Sequence, residues 1–359
     1  MAAPAQSPPD RARISGARRV VVKVGPSSLT TPAGGLDVAA MQRLATALSR
    51  RARCQRLVLV SSGAVTAGTS ALRLRSRPTD LATAQAAASV GQGLLLARYT
   101  EAFAEHGERV GQVLLTAEGL ARRHTYTNAR RALERLLSLG VVPIVNENET
   151  VATEGIRLGD NDRLAALVAH LVHADALVLL TDVDGTHGAG RATELEAVAV
   201  ATGSGIPVVL TSATTVESAL AGGDVGTYFP PSPQRRPARW LWLAHAARPR
   251  GRLHLDAGAA HAVTDGKGSL LAAGIIEVEG DFEERDVVEL VGPQGLLARG
   301  LTAFSSDELA RMLGKTSAQL RQDNTVTRAI VHRDHLAQLP PTRAARHVLA
   351  GLGAGPGEA

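Results

Sequence analysis

Between residues 18 and 210, short uninterrupted apolar runs alternate with longer amphipathic stretches. The first run, RRVVVKV at 18–24, is broken only by Lys23 and stops at Gly25 and Pro26. Similar runs occur at 57–60, 110–115, 141–145, 176–180 and 206–210. Apolar runs without polar alternation predict strands buried on both faces. The stretches between them, at 41–53, 82–106, 128–139 and 160–173, carry helical spacing. Strand alternating with helix predicts an α/β fold with a mostly parallel sheet sandwiched by helices. In such sheets ligands lie beyond the carboxyl ends of the strands. Polar clusters fall there in this chain: Ser61 to Gly63, Asn146 to Glu149, and Thr181 with Asp182.

After residue 210 the texture changes. Residues 222–239 are rich in Gly, Pro and Arg and read as a connector. From 252 to 336, short alternating segments such as 275–278, 287–291 and 296–299 predict a small β-rich domain. The expected organisation is a disordered N-terminus over 1–17, a main domain over 18–245, a β-rich domain over 250–338 and a tail over 339–359.

Composition narrows the class. With 359 residues the chain exceeds the range of a single core. Aromatics make up 3% against 45% hydrophobic residues, so the core must be built from Val, Leu, Ala and Ile. The net charge of +5 comes mostly from Arg, which makes the lysines at 23, 267 and 315 individually informative. The single Cys54 excludes an internal disulfide framework and fits a reducing cytoplasm. No run approaches the ~20 apolar residues of a membrane span, and the first residues lack the apolar stretch of a secretory leader. His170 with His173, and His332 with His335, have no cysteine or convergent carboxylate beside them, so no protein metal site is expected. The glycines of GAGRATELE are too loosely spaced for a dinucleotide fingerprint.

Candidate chemistry lies in three segments. Lys23, within a strand of valines, is costly to bury without an anion nearby; a place on an edge strand, with its ammonium in water, is the alternative. Ser62 and Gly63 follow a strand, where hydroxyl and backbone amides can hold an anion. NENETVA and GDNDRLAAL gather Asn146, Asn148, Glu149, Asp160, Asn161 and Asp162, more polar residues than a helix cap requires.

The strings VVVKVG, SSGAV, SVGQGLL, VGQVLLT, VPIVNENETVAT, LGDNDRLAALVA and VLLTDVDG, in this order, resemble the glutamate 5-kinases over residues 18–185. GRLHLDAGAAHAV, GSLLAAGI, VEGDFEERDVVEL and VHRD resemble that family's C-terminal PUA domain. The resemblance implies an amino acid kinase-like domain followed by a PUA-like domain. It implies transfer of the γ-phosphoryl group of ATP, with Mg2+, to the side-chain carboxylate of L-glutamate, the first step of proline biosynthesis. On the matching positions, Lys23 and Asp162 are the catalytic residues. Ser62, Gly63, Glu149 and Asn161 fall on the glutamate-binding positions, and Lys23, Gly25, Thr181 and Asp182 on the nucleotide-binding ones. A homo-oligomer is implied as well.

Three departures from the family pattern stand out. Pro26 replaces a Ser or Thr at the phosphate turn and offers neither hydroxyl nor amide hydrogen. Glu149 stands where the family has Asp. After Gly185 a few dozen residues of the nucleotide-binding segment are missing, and Glu194 aligns with the family's second phosphoryl-stabilising lysine, with Arg191 three residues before it. Two readings follow: a working glutamate 5-kinase, and an impaired relative that binds glutamate or a partner. RNA binding through the PUA-like domain is a third, which Asp281, Glu283, Glu284, Asp286 and Glu289 argue against.

Overall fold

The valine run β1 (Arg19–Val24) is fully buried from Val20 to Val22, and Lys23 within it is 6% exposed. In the computed structural model, which describes residues 8–31, 34–52, 54–151, 160–181, 189–232, 240, 243–244, 249–265, 268–313, 315 and 328–339, β1 lies at the middle of a seven-stranded sheet. By their contacts the residues fall into two units, Gln6–Ala238 and one that takes in Arg239–Ala359.

In chain order the first unit comprises α1 (Pro8–Ser15), β1, α2 (Val38–Ala52), β2 (Arg56–Ser61), α3 (Ala64–Ala71) and α4 (Leu81–Ala104). There follow β3 (Arg109–Leu115), α5 (Ala117–Ala121), α6 (Arg123–Ser138), β4 (Val141–Glu147), α7 (Asp160–Leu171) and β5 (Ala176–Leu180). The unit ends with α8 (Ala189–Gly203), β6 (Val208–Thr211), α9 (Val216–Leu220) and β7 (Thr227–Phe229). The sheet order is β3-β4-β2-β1-β5-β6-β7, parallel throughout except for the last pair. A chain of βα units can return each strand parallel to the last only by a helical crossover, which explains the alternation in the sequence. The core beside β1 is aliphatic: Val20, Val22, Val24, Leu48, Leu59, Ile144 and Val178 are completely buried, with Tyr99 and Phe103 as its large aromatics.

Three features differ from the sequence reading. The edge-strand alternative for Lys23 does not hold, because β1 pairs with β2 on one side and β5 on the other. Residues 8–15 are helical rather than disordered: Ile14 of α1 is completely buried, and Arg11 donates to the carbonyls of Gly223 and Val225 at 3.2 and 2.7 Å. One apolar anchor and a chelating arginine hold this helix, and neither leaves a periodic pattern. Helix α3, built from Ala, Val, Thr, Gly and Ser, was not anticipated either.

The second unit is β-rich, with a five-stranded sheet of order β12-β11-β10-β8-β9, where β8 is Gly251–Leu255, β9 Ile275–Gly280, β10 Val287–Gly292, β11 Gly295–Thr302 and β12 Val331–Gln338. Leu253, Phe282, Val288, Leu290, Ala298 and Ile330 fill its core. Asp256 caps the helix Ala257–Thr264, and Ser305 with Glu308 forms a capping box on the helix Ser306–Met312. Glu289 bridges Arg252 and Arg299 at 3.0 and 3.1 Å, so basic side chains of this sheet are matched by carboxylates. Among the described residues no helix is long and apolar enough to cross a membrane.

Candidate active site

The parallel register sets Val24 opposite both Ser61 of β2 and Leu180 of β5, so three strands end at one level. Beyond that level the polar residues converge. Lys23 points out of the strand one residue before its end, and its Nζ lies 2.5 Å from Asp162 Oδ1, with both side chains buried. Asp162 sits in the first turn of α7, where the free amides of a helix N-terminus favour a carboxylate. This ion pair fixes a long flexible side chain in one direction. The ammonium carries three donors, so it can serve a ligand while paired with Asp162. Removing either partner would leave the other buried and unpaired, at a cost of about 3–5 kcal/mol.

Glycine at position 25 keeps the space beside the ammonium open. A Cβ there would lie 3.5 Å from Lys23 Nζ and 3.7 Å from the Leu180 carbonyl. Pro26 follows with φ −64° and ψ −39°, and its carbonyl accepts from Leu29 N at 3.0 Å, opening the 3-10 turn Ser27–Leu29. Lacking an amide hydrogen, Pro26 offers nothing to a phosphate in this turn.

A second cluster lies at the ends of β2 and β4. Gly63 has φ +108°, a left-handed conformation that a residue with a side chain adopts only under strain, and it turns the chain from β2 into α3. Asn161 Nδ2 donates to Ser62 Oγ and to Asn146 Oδ1, both at 3.0 Å. The backbone N–H of Glu147 donates to Asn146 Oδ1 at 2.8 Å and to Asn161 Oδ1 at 3.2 Å. Asn146 Nδ2 in turn donates to Gln92 Oε1 of α4 at 2.7 Å. One helical face further along α4, the Tyr99 hydroxyl lies 2.8 Å from Ser61 Oγ, and Ser61 Oγ donates to the Ser62 carbonyl at 3.0 Å. Burial pushes the Tyr99 phenol well above its ordinary pKa, so it stays protonated.

At the end of β5, Thr181 Oγ1 donates to Glu194 Oε1 at 2.5 Å, and Thr193 Oγ1 donates to Asp162 Oδ2 at 3.3 Å. Helix α8 therefore sets a carboxylate and a hydroxyl against the strand ends.

The structure thus brings Lys23, Gly25 and Asp162 together, and gathers Ser62, Gly63 and Asn161 in the adjoining cluster. Thr181 closes the β5 side through Glu194. Glu149 lies in the 3-10 turn Glu149–Val151 after β4, half-buried and packed against α4. Asp182, Gly185 and the side chains of Asp160 and Arg191 lie outside the described residues. Sequence reasoning gave no role to Gln92 or Thr193 and left Asn146 in an undifferentiated polar cluster. The available signal for Gln92 was an amide on the Ala- and Gly-lined buried face of α4.

A family model described as the amino acid kinase family matches residues 18–211, and a PUA domain model matches residues 251–323. A glutamate 5-kinase of Frankia casuarinae is 51% identical over 368 aligned positions, covering 92% of this chain and 99% of that protein. A glutamate 5-kinase of Streptomyces avermitilis is 50% identical, covering 92% of this chain and 99% of that protein. One from Thermobifida fusca is 51% identical, covering 92% and 95%.

Proposed function

The chain belongs to the amino acid kinase family and, within it, to the glutamate 5-kinases, and from this we propose that it transfers the γ-phosphoryl group of ATP to the side-chain carboxylate of L-glutamate. The product is L-glutamyl 5-phosphate, an activated acid suited to the first step of proline biosynthesis. The observation that carries the assignment to this site is the buried Lys23–Asp162 pair, level with the Ser62–Asn161 cluster at the ends of adjacent parallel strands.

The acceptor carboxylate is ionised at neutral pH, so the reaction needs no general base. What remains is to hold two anions within reach of each other and to neutralise the charge on the group in flight. Lys23, aimed by Asp162, neutralises that charge. Gly25 lets the nucleotide's phosphates approach the backbone, and Thr181 and Asp182 hold the nucleotide beyond β5. Ser62, Gly63, Glu149 and Asn161 orient the glutamate.

The donor chemistry fits magnesium, which takes hard oxygen ligands. Asp162 is committed to Lys23 and Thr193, whereas Glu194 spends one oxygen on Thr181. Glu194 would therefore hold the metal together with phosphate oxygens. A magnesium held there would screen the charge of the phosphates. The proposed setting is the cytoplasm, where both substrates occur, with the chain assembled as a homo-oligomer.

ADP release measured with purified protein, Mg-ATP and L-glutamate tests the assignment, beside Lys23→Met. Glutamate-dependent release that falls by at least about two to three decades in the variant is expected, the usual size of one lost transition-state charge contact. Release independent of glutamate, or equal in the variant, refutes it.

A further inference from the structure

We infer that Gln92 is the positioning residue of the glutamate site, an inference that rests on the proposed reading of Ser62 and Asn161 as substrate ligands. Gln92 is 9% exposed and stands on α4, outside the strand ends that carry those ligands. Its carbonyl accepts from Asn146 Nδ2 at 2.7 Å, and Asn146 is 1% exposed.

The direction of this bond is dictated by the backbone. An amide N–H can only donate, so the Glu147 N–H facing Asn146 at 2.8 Å requires the Asn146 oxygen on that side. The Asn146 NH2 group must then face Gln92, where only an acceptor satisfies it. The same N–H, 3.2 Å from Asn161 Oδ1, turns the Asn161 NH2 group towards Ser62 Oγ. Donors therefore run outward from Asn161, to Ser62 on one side and through Asn146 to Gln92 on the other. Ser62 Oγ accepts in this relay, which leaves its own proton to donate. A hydroxyl set up as a donor suits a carboxylate ligand and not a cationic one.

Without an acceptor at position 92 the buried Asn146 NH2 is unsatisfied, and the asparagine gains by swinging away from Asn161. The Gln92 Nε2 atom has no hydrogen-bond partner among the described residues, so only the carbonyl end of the side chain serves the relay. Two substitutions separate these ends. Gln92→Met keeps the volume and removes the acceptor, whereas Gln92→Glu keeps an acceptor oxygen. Gln92→Leu removes the acceptor as well, with a smaller side chain, and it serves if Gln92→Met does not fold.

The test is L-glutamate binding to the full chain by calorimetry, with KM for glutamate and for Mg-ATP in steady state. Gln92→Met and Gln92→Leu should weaken glutamate about five- to tenfold, the size of one net hydrogen bond. KM for Mg-ATP and kcat should not move, and Gln92→Glu should bind glutamate like the parent. Unchanged glutamate affinity in Gln92→Met, a parallel rise of both KM values, or a Gln92→Glu protein as weak as Gln92→Met overturns the inference. A parent protein that binds no glutamate overturns the reading of Ser62 and Asn161 instead.

Discussion

At the scale of single residues, the charge at the strand ends is the distinctive property of this chain. Lys23 contributes one positive charge, and Asp162 and Glu194 contribute one negative charge each. These three side chains together present a net negative charge to a polyanionic nucleotide, and the Thr181 hydroxyl holds Glu194 in place. A ligand that brings its own positive charge is favoured there. Mg-ATP should bind at least about tenfold more tightly than metal-free ATP, a difference of about 1.4 kcal/mol. Glu194→Lys should narrow that gap by supplying a fixed cation, and calorimetry with and without magnesium reads both. An equal gap in the two proteins would mean that Glu194 faces neither metal nor phosphate. Lys23 stood out in the sequence because a lysine among valines is out of place, whereas Asp162 was separated from its crowd of acids and amides only by the family resemblance. Gln92 did not stand out, because its task is set by a backbone donor on a strand far away in sequence.

At the scale of elements, α4 is the wall of the proposed glutamate site. It crosses α3 with backbone against backbone: a Cβ on Gly91 would lie 1.8 Å from the Ala64 carbonyl, and one on Gly68 would lie 1.7 Å from the Ala87 carbonyl. These are main-chain atoms, so the helices would have to separate. Gly91 directly precedes Gln92, and α3 follows directly from Gly63, so separation would pull the two sides of the proposed substrate site apart. Gly91→Ala should destabilise the protein by about 1–3 kcal/mol and raise KM for glutamate. Gly93, two residues on, is exposed with nothing near its Cβ position. Gly93→Ala should stabilise by roughly 0.5–1 kcal/mol through helix propensity and leave KM alone. Thermal melts and glutamate titrations of the pair separate packing from composition. The strands and long helices were readable because each buries a continuous face. Helices α1 and α3 were not: the first is held by Ile14 and Arg11, and the second by close approach of small residues, neither of which produces hydrophobic periodicity.

At the scale of the whole molecule, length and sequence identity give different information. The chain spans almost all of its Frankia relative, yet 92% of 359 residues is about 330 of the 368 aligned positions. About 38 positions of the alignment therefore have no residue in this chain. The sequence reading assigns them to the nucleotide-binding segment after Gly185, whereas the elements carrying Lys23, Ser62, Asn161 and Asp162 are all present. Loss confined to one substrate's half should act on that substrate alone, because the proposed glutamate relay joins α4, β4, α7 and the residue after β2, and its described hydrogen bonds involve no residue of α8. Assayed beside the Frankia enzyme under one set of conditions, this protein should show a KM for glutamate of the same order and a KM for Mg-ATP at least about tenfold higher, each decade being 1.4 kcal/mol of lost contact. A glutamate KM raised as much as the ATP KM would place the missing positions in a segment that both substrates use. Equal values for both substrates would mean that the shortened chain rebuilds its nucleotide contacts from α8, with Thr193 and Glu194 as the residues to substitute next.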